Sequence, residues 1–331
     1  MLKTLHVALL GFGTVGKGVY RTIQTHQHRL RKVLGKKVEV STIVVKNLSK
    51  HRDFTGKAEI TTNFQQVVDH PEIDVVFEAI PGKEPAFTYL IQSIKTGKHI
   101  ITANKEMFAH HGGTLKKLAE KHQVKVGFEA TTASGIPVIQ TIRQLLQVNQ
   151  IKRVTGILNG TSNYILTEMR EKKLSFSEAL AKAQQLGYAE ADPANDIEGK
   201  DAFYKLMILS ELIFSKQPNW QSVKCKGIQQ ITRDEILFYQ KENKRMKHIA
   251  MIEKIRDKIE AKVEPLVIPE NHPFYYIEGV ENAISIETDL VGQFTLTGPG
   301  AGMYPTASAM IEDFCTLMSN HKKKEQRFAF I

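Results

Sequence analysis

The sequence predicts an α/β fold, a doubly wound parallel sheet joined to a second, α+β domain. Three observations carry this. Across residues 1–130, short apolar runs alternate with amphipathic helical stretches. The apolar runs are almost unbroken, as in strands buried on both faces. After residue 130, helices and alternating strands fall in separate runs, the pattern of an α+β domain.

In the first region the strands are expected at 5–10, 38–45, 74–79, 99–102 and 124–129. Helical patterns lie between them at 16–25, 64–69, 86–96 and 112–122. In the second region, 136–147 and 161–172 read as helices around an alternating strand at 151–158. Ser175-Phe176-Ser177-Glu178 is a capping box, in which hydroxyl and carboxylate satisfy two orphan backbone N–H groups. The helix it opens ends at Gly187, placed as a C′ glycine. A long apolar helix follows over 199–214. Segments 275–279, 283–288 and 293–297 read as a small sheet, and a glycine-rich turn at 298–302 opens a last helix over 304–319. The expected division is 1–130 with 303–331 as the first domain, and 131–302 as the second.

The 331 residues are 42% hydrophobic and 24% charged, which excludes a disordered chain, a collagen repeat and a disulfide scaffold. No apolar run reaches the ~18 residues of a membrane span. The early run at 5–10 breaks into Gly11-Phe12-Gly13, which is no signal-peptide cleavage site. Cys225 and Cys315 alone fit a reducing cytoplasm, without metal-type spacing. The formal charge of +10 raises the prospect of an anionic partner. Much of the excess sits in short solvated runs (Lys32, Lys36, Lys37 and His321 to Lys324), with no aromatic interleaving, so no nucleic-acid partner is expected.

Gly11-Phe12-Gly13-Thr14-Val15-Gly16 is a G-x-G-x-x-G motif between a predicted strand and a predicted helix. This Rossmann-type context gives the glycines a physical task. Gly11 permits the tight turn, Gly13 lets the backbone approach a pyrophosphate, and Gly16 lets helix and strand pack closely. The helix N-terminus then offers free N–H groups to the phosphates. The second strand ends in Val45-Lys46-Asn47, where an NAD site usually has an acid for the ribose 2′-hydroxyl. Lys46 suits a 2′-phosphate instead, pointing to NADP with NAD possible; a solvated loop lysine is the alternative.

Lys105 follows Thr102-Ala103-Asn104, just past the carboxyl end of a strand, where open α/β sheets bind ligands. Glu198, Asp201 and Lys205 share one helix face, continued by Ile208, Leu209 and Leu212. That leaves two readings of Asp201 and Lys205: an ordinary i,i+4 salt bridge, or a semi-buried pair in which Lys205 donates a proton and Asp201 orients it. Upstream, the loop around Glu190 is either a binder of a substrate ammonium or merely an acidic loop. The small-residue turn after Glu129 suits a hard cation held by one carboxylate and backbone carbonyls, but the sequence alone favours a strand-to-helix turn that binds nothing.

In order along the chain, GFGTVGKG, ITANKEMFAHHG, GFEATTASGIPVI, ILNGTSNYILTEM, LGYAEADPANDIEGKDAFYKL and GPGAGMYPTASAMIED resemble the segments of homoserine dehydrogenases, over nearly the whole length. The resemblance implies reversible, NAD(P)-dependent conversion of L-homoserine to L-aspartate 4-semialdehyde, in threonine, methionine and isoleucine biosynthesis. It implies that Lys205 exchanges the proton at the substrate oxygen, and that Lys105 is a second catalytic lysine near nicotinamide and substrate. Glu190 and Asp201 would hold homoserine. Phe12, Thr14, Val15, Ile80 and Gly300 would join the glycines, Lys46 and Lys105 at the cofactor. Glu129, with carbonyls of Thr132, Ser134 and Ile136, would hold a sodium ion. A cytoplasmic homodimer is implied as well. Two departures stand out. The sodium loop carries Thr131, Thr132, Ala133 and Ser134 in place of the usual smaller residues, and Pro81 stands where glycine is common.

Two rivals make different demands. An aldehyde dehydrogenase acting on the same semialdehyde needs a cysteine nucleophile with a histidine partner. A dinucleotide-sensing DNA-binding regulator needs a recognition helix, and no helix-turn-helix pattern is evident. Many family members carry a C-terminal regulatory ACT domain. The twelve residues after 319 are too few for one, so no cooperative inhibition by threonine is expected.

Overall fold

The computed structural model describes residues 4–319. The basic run at 321–324 lies outside the described residues, as does the remainder of the C-terminal segment. The chain forms two compact units, residues 1–134 with 302–331 and residues 135–301.

The first unit runs β1 (Thr4–Leu10), α1 (Thr14–Thr25), α2 (Gln27–Leu34), β2 (Lys37–Val44), β3 (Glu59–Thr61), α3 (Gln65–Asp69), β4 (Ile73–Glu78), α4 (Ala86–Lys95), β5 (His99–Thr102), α5 (Lys105–Lys121) and β6 (Val126–Gly127). Its six strands are all parallel, in the order β3-β2-β1-β4-β5-β6. Chain order therefore reverses between β1 and β4, which creates the switch-point crevice beyond their carboxyl ends. Leu5, Val7, Leu9, Val19, Ile23 and Phe77 build the core, and Phe314 of the returning C-terminal helix closes it.

The second unit continues with α6 (Val138–Leu145), β7 (Ile151–Ile157), α7 (Gly160–Glu171), α8 (Phe176–Gln185), α9 (Ala194–Ile197), α10 (Lys200–Phe214), β8 (Lys224–Cys225), α11 (Arg233–Lys241), β9 (Lys244–Ile255), β10 (Lys258–Pro269), β11 (Glu281–Thr288) and β12 (Gln293–Pro299). α12 (Met303–Met318) then belongs to the first unit. The second sheet is mixed, ordered β12-β11-β7-β9-β10-β8. Ile157, Ile249, Ile268, Phe274 and Ala283 form one core cluster. Ile165, Met169, Ala179, Ala183, Ile228 and Ile236 form another.

Local signals account for the helix ends. Ser175 and Glu178 make the reciprocal capping box of α8. At its C-terminus, Gly187 takes φ +75°, and the Gly187 and Tyr188 N–H groups return to Gln184 and Ala183. This is the Schellman arrangement. Three expectations are corrected. Helix α5 begins at Lys105, not at 112, because the Asn104 side chain caps it by accepting from Met107 N. The strand expected at 124–129 shrinks to Val126–Gly127. Residues 275–279 are turns, not a strand. Their carbonyls are taken by side chains, Tyr275 by Arg245 and Gly279 by Asn163, so they do not form a ladder. The long β9–β10 hairpin supplies the sheet instead.

Candidate active site

The glycine-rich turn leaves β1 at the switch point. Gly11 has φ +92°, a region costly to any residue with a Cβ, and its N–H donates to Val44 O at 2.9 Å. A Cβ on Gly16 would lie 2.1 Å from Gly11 O, so helix and turn touch backbone to backbone. Around Gly13 nothing lies within 4 Å of the Cβ position, and no side chain caps the helix there. The first N–H groups of α1, at Thr14, Val15 and Gly16, thus belong to an uncapped N-terminus suited to an anion. Phe12 is buried against Tyr20, His51 and Phe54 and anchors the turn. Lys46 is exposed at the end of β2. The His51 imidazole is held below its usual range by burial, then by Lys17 and Lys50, which marks a locally positive surface.

Across the crevice stands a buried network that sequence reading missed. Glu78, the last residue of β4, is fully buried. Its carboxylate accepts from Ile80 N at 2.6 Å and Thr102 Oγ1 at 2.5 Å. Asn104 N donates to Thr102 Oγ1 at 2.9 Å, and Asn104 Nδ2 donates to the carbonyls of Ile80 and Gly82, both at 2.7 Å. One side chain therefore holds the Ile80–Gly82 backbone and caps the helix that begins with half-buried Lys105. The available signal was a carboxylate ending the apolar Val75-Val76-Phe77 run.

Burial pushes the Glu78 carboxyl up to about 7 from its ordinary 4.5, against the pull of its hydrogen bonds. Between those two values the folded chain keeps a proton that the unfolded chain has lost. Stability from this group is thus complete below pH 4.5 and is lost as pH rises through 7. Glu78→Gln carries no charge at any pH. It is expected to flatten that decline and to raise Tm near pH 8 by about 5 °C. Parallel Tm–pH curves for the two proteins would contradict this.

Glu129 is completely buried, and its N–H donates to Asp313 Oδ2 at 2.8 Å. Thr132 is 1% exposed and its Oγ1 has no hydrogen-bond partner among the described residues. Ser134 takes φ +43°, and its hydroxyl accepts from Thr306 Oγ1 at 3.2 Å. Ile136, the fourth residue expected here, is the second residue of the other unit. Glu129 and Thr132, both buried and three residues apart in one turn, offer only oxygen donors, the chemistry a hard cation takes. Among the described residues, no group of three or more His, Cys, Asp or Glu gathers for a metal.

In the second unit, α10 carries Asp201 and Lys205, which are 2% and 6% exposed. Lys205 Nζ lies 2.7 Å from Asp201 Oδ2 and donates to Leu158 O at 2.5 Å. Burial removes one feature of the ordinary reading: the pair is not a solvent-exposed bridge. A surface i,i+4 pair contributes little, whereas a charge pair taken out of water is costly unless its geometry is well satisfied. For Asp201 Oδ2, that satisfaction comes from Asn159. Its Nδ2 donates to Asp201 Oδ2 at 2.9 Å and to Asp196 Oδ1 at 2.7 Å, while its Oδ1 caps α7 by accepting from Ser162 N at 2.7 Å. Asn159, Asp196 and the Leu158 carbonyl were not singled out from sequence. The N-cap signal in Asn-Gly-Thr-Ser was there to be read.

Glu190 is exposed in the turn after Gly187, and its carbonyl accepts from Gln184 Nε2 at 3.1 Å. Gly300 is buried, and a Cβ there would lie 2.0 Å from Asn282 Nδ2, so any side chain would have to displace the Asn282 amide. Cys225 touches Glu198 O at 3.5 Å, and burial pushes its thiol up, the wrong direction for the nucleophile an aldehyde dehydrogenase needs.

Comparison with known proteins agrees with this geometry. The family model for the NAD-binding domain of homoserine dehydrogenase matches residues 11–129, and that for homoserine dehydrogenase itself matches residues 137–315. The chain belongs to the homoserine dehydrogenase family. It is 40% identical to the homoserine dehydrogenase of Bacillus subtilis over 320 residues, covering 96% of this chain and 74% of that one. The crystal structure of a homoserine dehydrogenase from Thiobacillus denitrificans is similar at TM-score 0.92 and 40% identity, over 97% of this chain and 75% of the other. A hyperthermophilic archaeal homoserine dehydrogenase, solved in complex with NADPH, is similar at TM-score 0.80 and 26% identity, over 95% and 98% of the two chains. As a homoserine dehydrogenase, the chain is an NAD(P)-dependent oxidoreductase acting on a CH–OH group. It interconverts L-homoserine and L-aspartate 4-semialdehyde in amino-acid biosynthesis. No described helix is long and apolar enough to cross a membrane.

Proposed function

We propose that Lys205 is the group that exchanges the substrate proton in this reaction, with Asp201 orienting it. The observation that carries this is the buried ion pair at 2.7 Å, braced by the Leu158 carbonyl and by Asn159. The bound nicotinamide supplies the hydride chemistry. In homoserine oxidation Lys205 takes the hydroxyl proton as the carbon gives up its hydride. In the reverse direction it returns that proton to the developing alkoxide, and its charge stabilises the oxygen. Asp201 and Glu190 hold the substrate, Glu190 through the ammonium. Lys105 adds a second cation from the start of α5.

The turn from Gly11 to Gly16 and the α1 N-terminus hold the cofactor phosphates, with Ile80 and Gly300 at the cofactor as well. Glu129, Thr132 and Ser134 hold a sodium ion or a similar cation by oxygen donors. A cytoplasmic homodimer completes the reading, on the family resemblance.

The cofactor is NADP in preference to NAD, because Lys46 stands where NAD sites carry an acid. The structure solved with NADPH supports this choice. The native enzyme is expected to show higher kcat/KM with NADP(H), and Lys46→Glu to erode the preference by about tenfold, the scale of one charge-assisted contact. Equal use of both cofactors by the native enzyme would remove Lys46 from phosphate recognition.

A further inference from the structure

Beside the start of α10 lies a histidine that the chemistry above does not use. His248, near the middle of β9, is 3% exposed. Its Nε2 is 2.9 Å from the Lys226 carbonyl oxygen. A carbonyl only accepts, so Nε2 carries the ring proton in this contact. The ring also meets the first residue of the turn into α10. Gly199, the N-cap, has φ +84°. A Cβ there would lie 3.1 Å from His248 Cε1, 3.2 Å from Val263 Cγ1 and 3.3 Å from Cys225 Sγ. The helix thus starts with its backbone laid directly on side chains from β9, β10 and β8. Asp201 follows two residues later.

The segment that His248 grips is also bonded to the stretch that leads into that helix. Lys226 N donates to Val263 O at 2.8 Å, and Ile228 N donates to Ile197 O at 2.8 Å. A Cβ on Gly227 would lie 2.2 Å from Ile197 O, so the two stretches are in backbone contact. Cys225 Sγ reaches Glu198 O at 3.5 Å. Residues 225–228 are therefore stitched to 197–199 and to β10, and His248 ties them to β9. Burial holds the imidazole below its usual range, while the Lys226 carbonyl and the Asp201 charge act the other way. The ring is neutral at neutral pH and places no second cation beside Lys205.

We propose that His248 is a positioning residue for this reaction, whose Nε2–H bond to Lys226 and contact with Gly199 set the start of α10 and so the place of Asp201 and Lys205. The inference rests on the reading of Lys205 as the proton-exchanging group. An apolar side chain of similar size fills the space but leaves the Lys226 carbonyl without its donor. Misplacement of a catalytic group by as little as 1 Å can cost ~10²-fold.

Steady-state rates of His248→Leu and His248→Gln test this. His248→Leu is expected to lose about tenfold or more in kcat with KM for NADP(H) unchanged. His248→Gln, which keeps an N–H donor, is expected to recover to within about threefold of native, a partial-restoration scale for a displaced donor. A His248→Leu kcat within twofold of native overturns the proposal, as does equal loss in both variants. Should His248→Leu fail to fold, the native protein labelled with 15N-histidine decides. The Nε2–H tautomer at His248 supports the proposal and the Nδ1–H tautomer overturns it. Near-native kcat in Lys205→Ala would sink the underlying role. Normal His248→Leu alongside inactive Lys205→Ala would sink this inference alone.

Discussion

Lys205→Ala is expected to lower kcat by ~10²-fold or more, the usual size of general acid–base assistance. Cofactor binding should survive, because the glycine-rich turn and Lys46 belong to the other unit. The variant also strands Asp201, which is 2% exposed, as a buried anion without its counter-ion. Breaking a buried pair costs about 3–5 kcal/mol, so a lower Tm is expected alongside the lost activity. Lys205→Ala with Asp201→Asn relieves that burial cost and separates the two effects. It should regain stability and remain inactive. Near-normal kcat in either variant would remove Lys205 from the mechanism.

Gly16→Ala is expected to weaken NADP(H) binding by ~10²-fold, the scale at which a displaced turn ceases to present its N–H groups. The cause is steric and local. The added carbon would sit 2.1 Å from Gly11 O and 3.0 Å from Gly11 C, both backbone atoms and not the end of a flexible side chain. Gly13→Ala is the informative contrast, because nothing in the chain lies within 4 Å of its Cβ position. That variant should fold with native Tm, and any loss of affinity reports the close approach of the ligand itself. Fluorescence titration with NADPH measures both. Native affinity in Gly16→Ala would show that the turn does not bind the phosphates.

The parallel sheet was legible because strands buried on both faces leave nearly continuous apolar runs, as in Val7–Leu10 of β1 and Val75–Phe77 of β4. The cofactor turn was legible because its glycines answer to local backbone geometry. The β9–β10 hairpin was not. Its strands carry lysines and glutamates among their apolar residues, and it turns at Arg256-Asp257, with Arg256 at φ +54°, in place of an Asn-Gly or Asp-Gly signal. Residues 275–279 have strand-like composition, but contacts with Arg245 and Asn163 from distant elements claim their carbonyls.

The same division holds at the site. Spacing along one helix puts Asp201 and Lys205 on a common face, and that much is local. Whether the pair is a surface bridge or a buried functional pair depends on the Leu158 carbonyl and on Asn159, more than 40 residues away in sequence. Glu78 likewise becomes notable only once Thr102 closes over it. Local chemistry leaves a trace in the sequence; burial assembled from distant segments leaves almost none.

The most direct test is absorbance at the reduced-nicotinamide band with purified protein and NADP⁺, started by L-homoserine. The signal should appear only when homoserine is present, fall at least ~10²-fold in Lys205→Ala, and be weaker with NAD⁺. No homoserine-dependent reduction of either cofactor by the native protein would contradict the account.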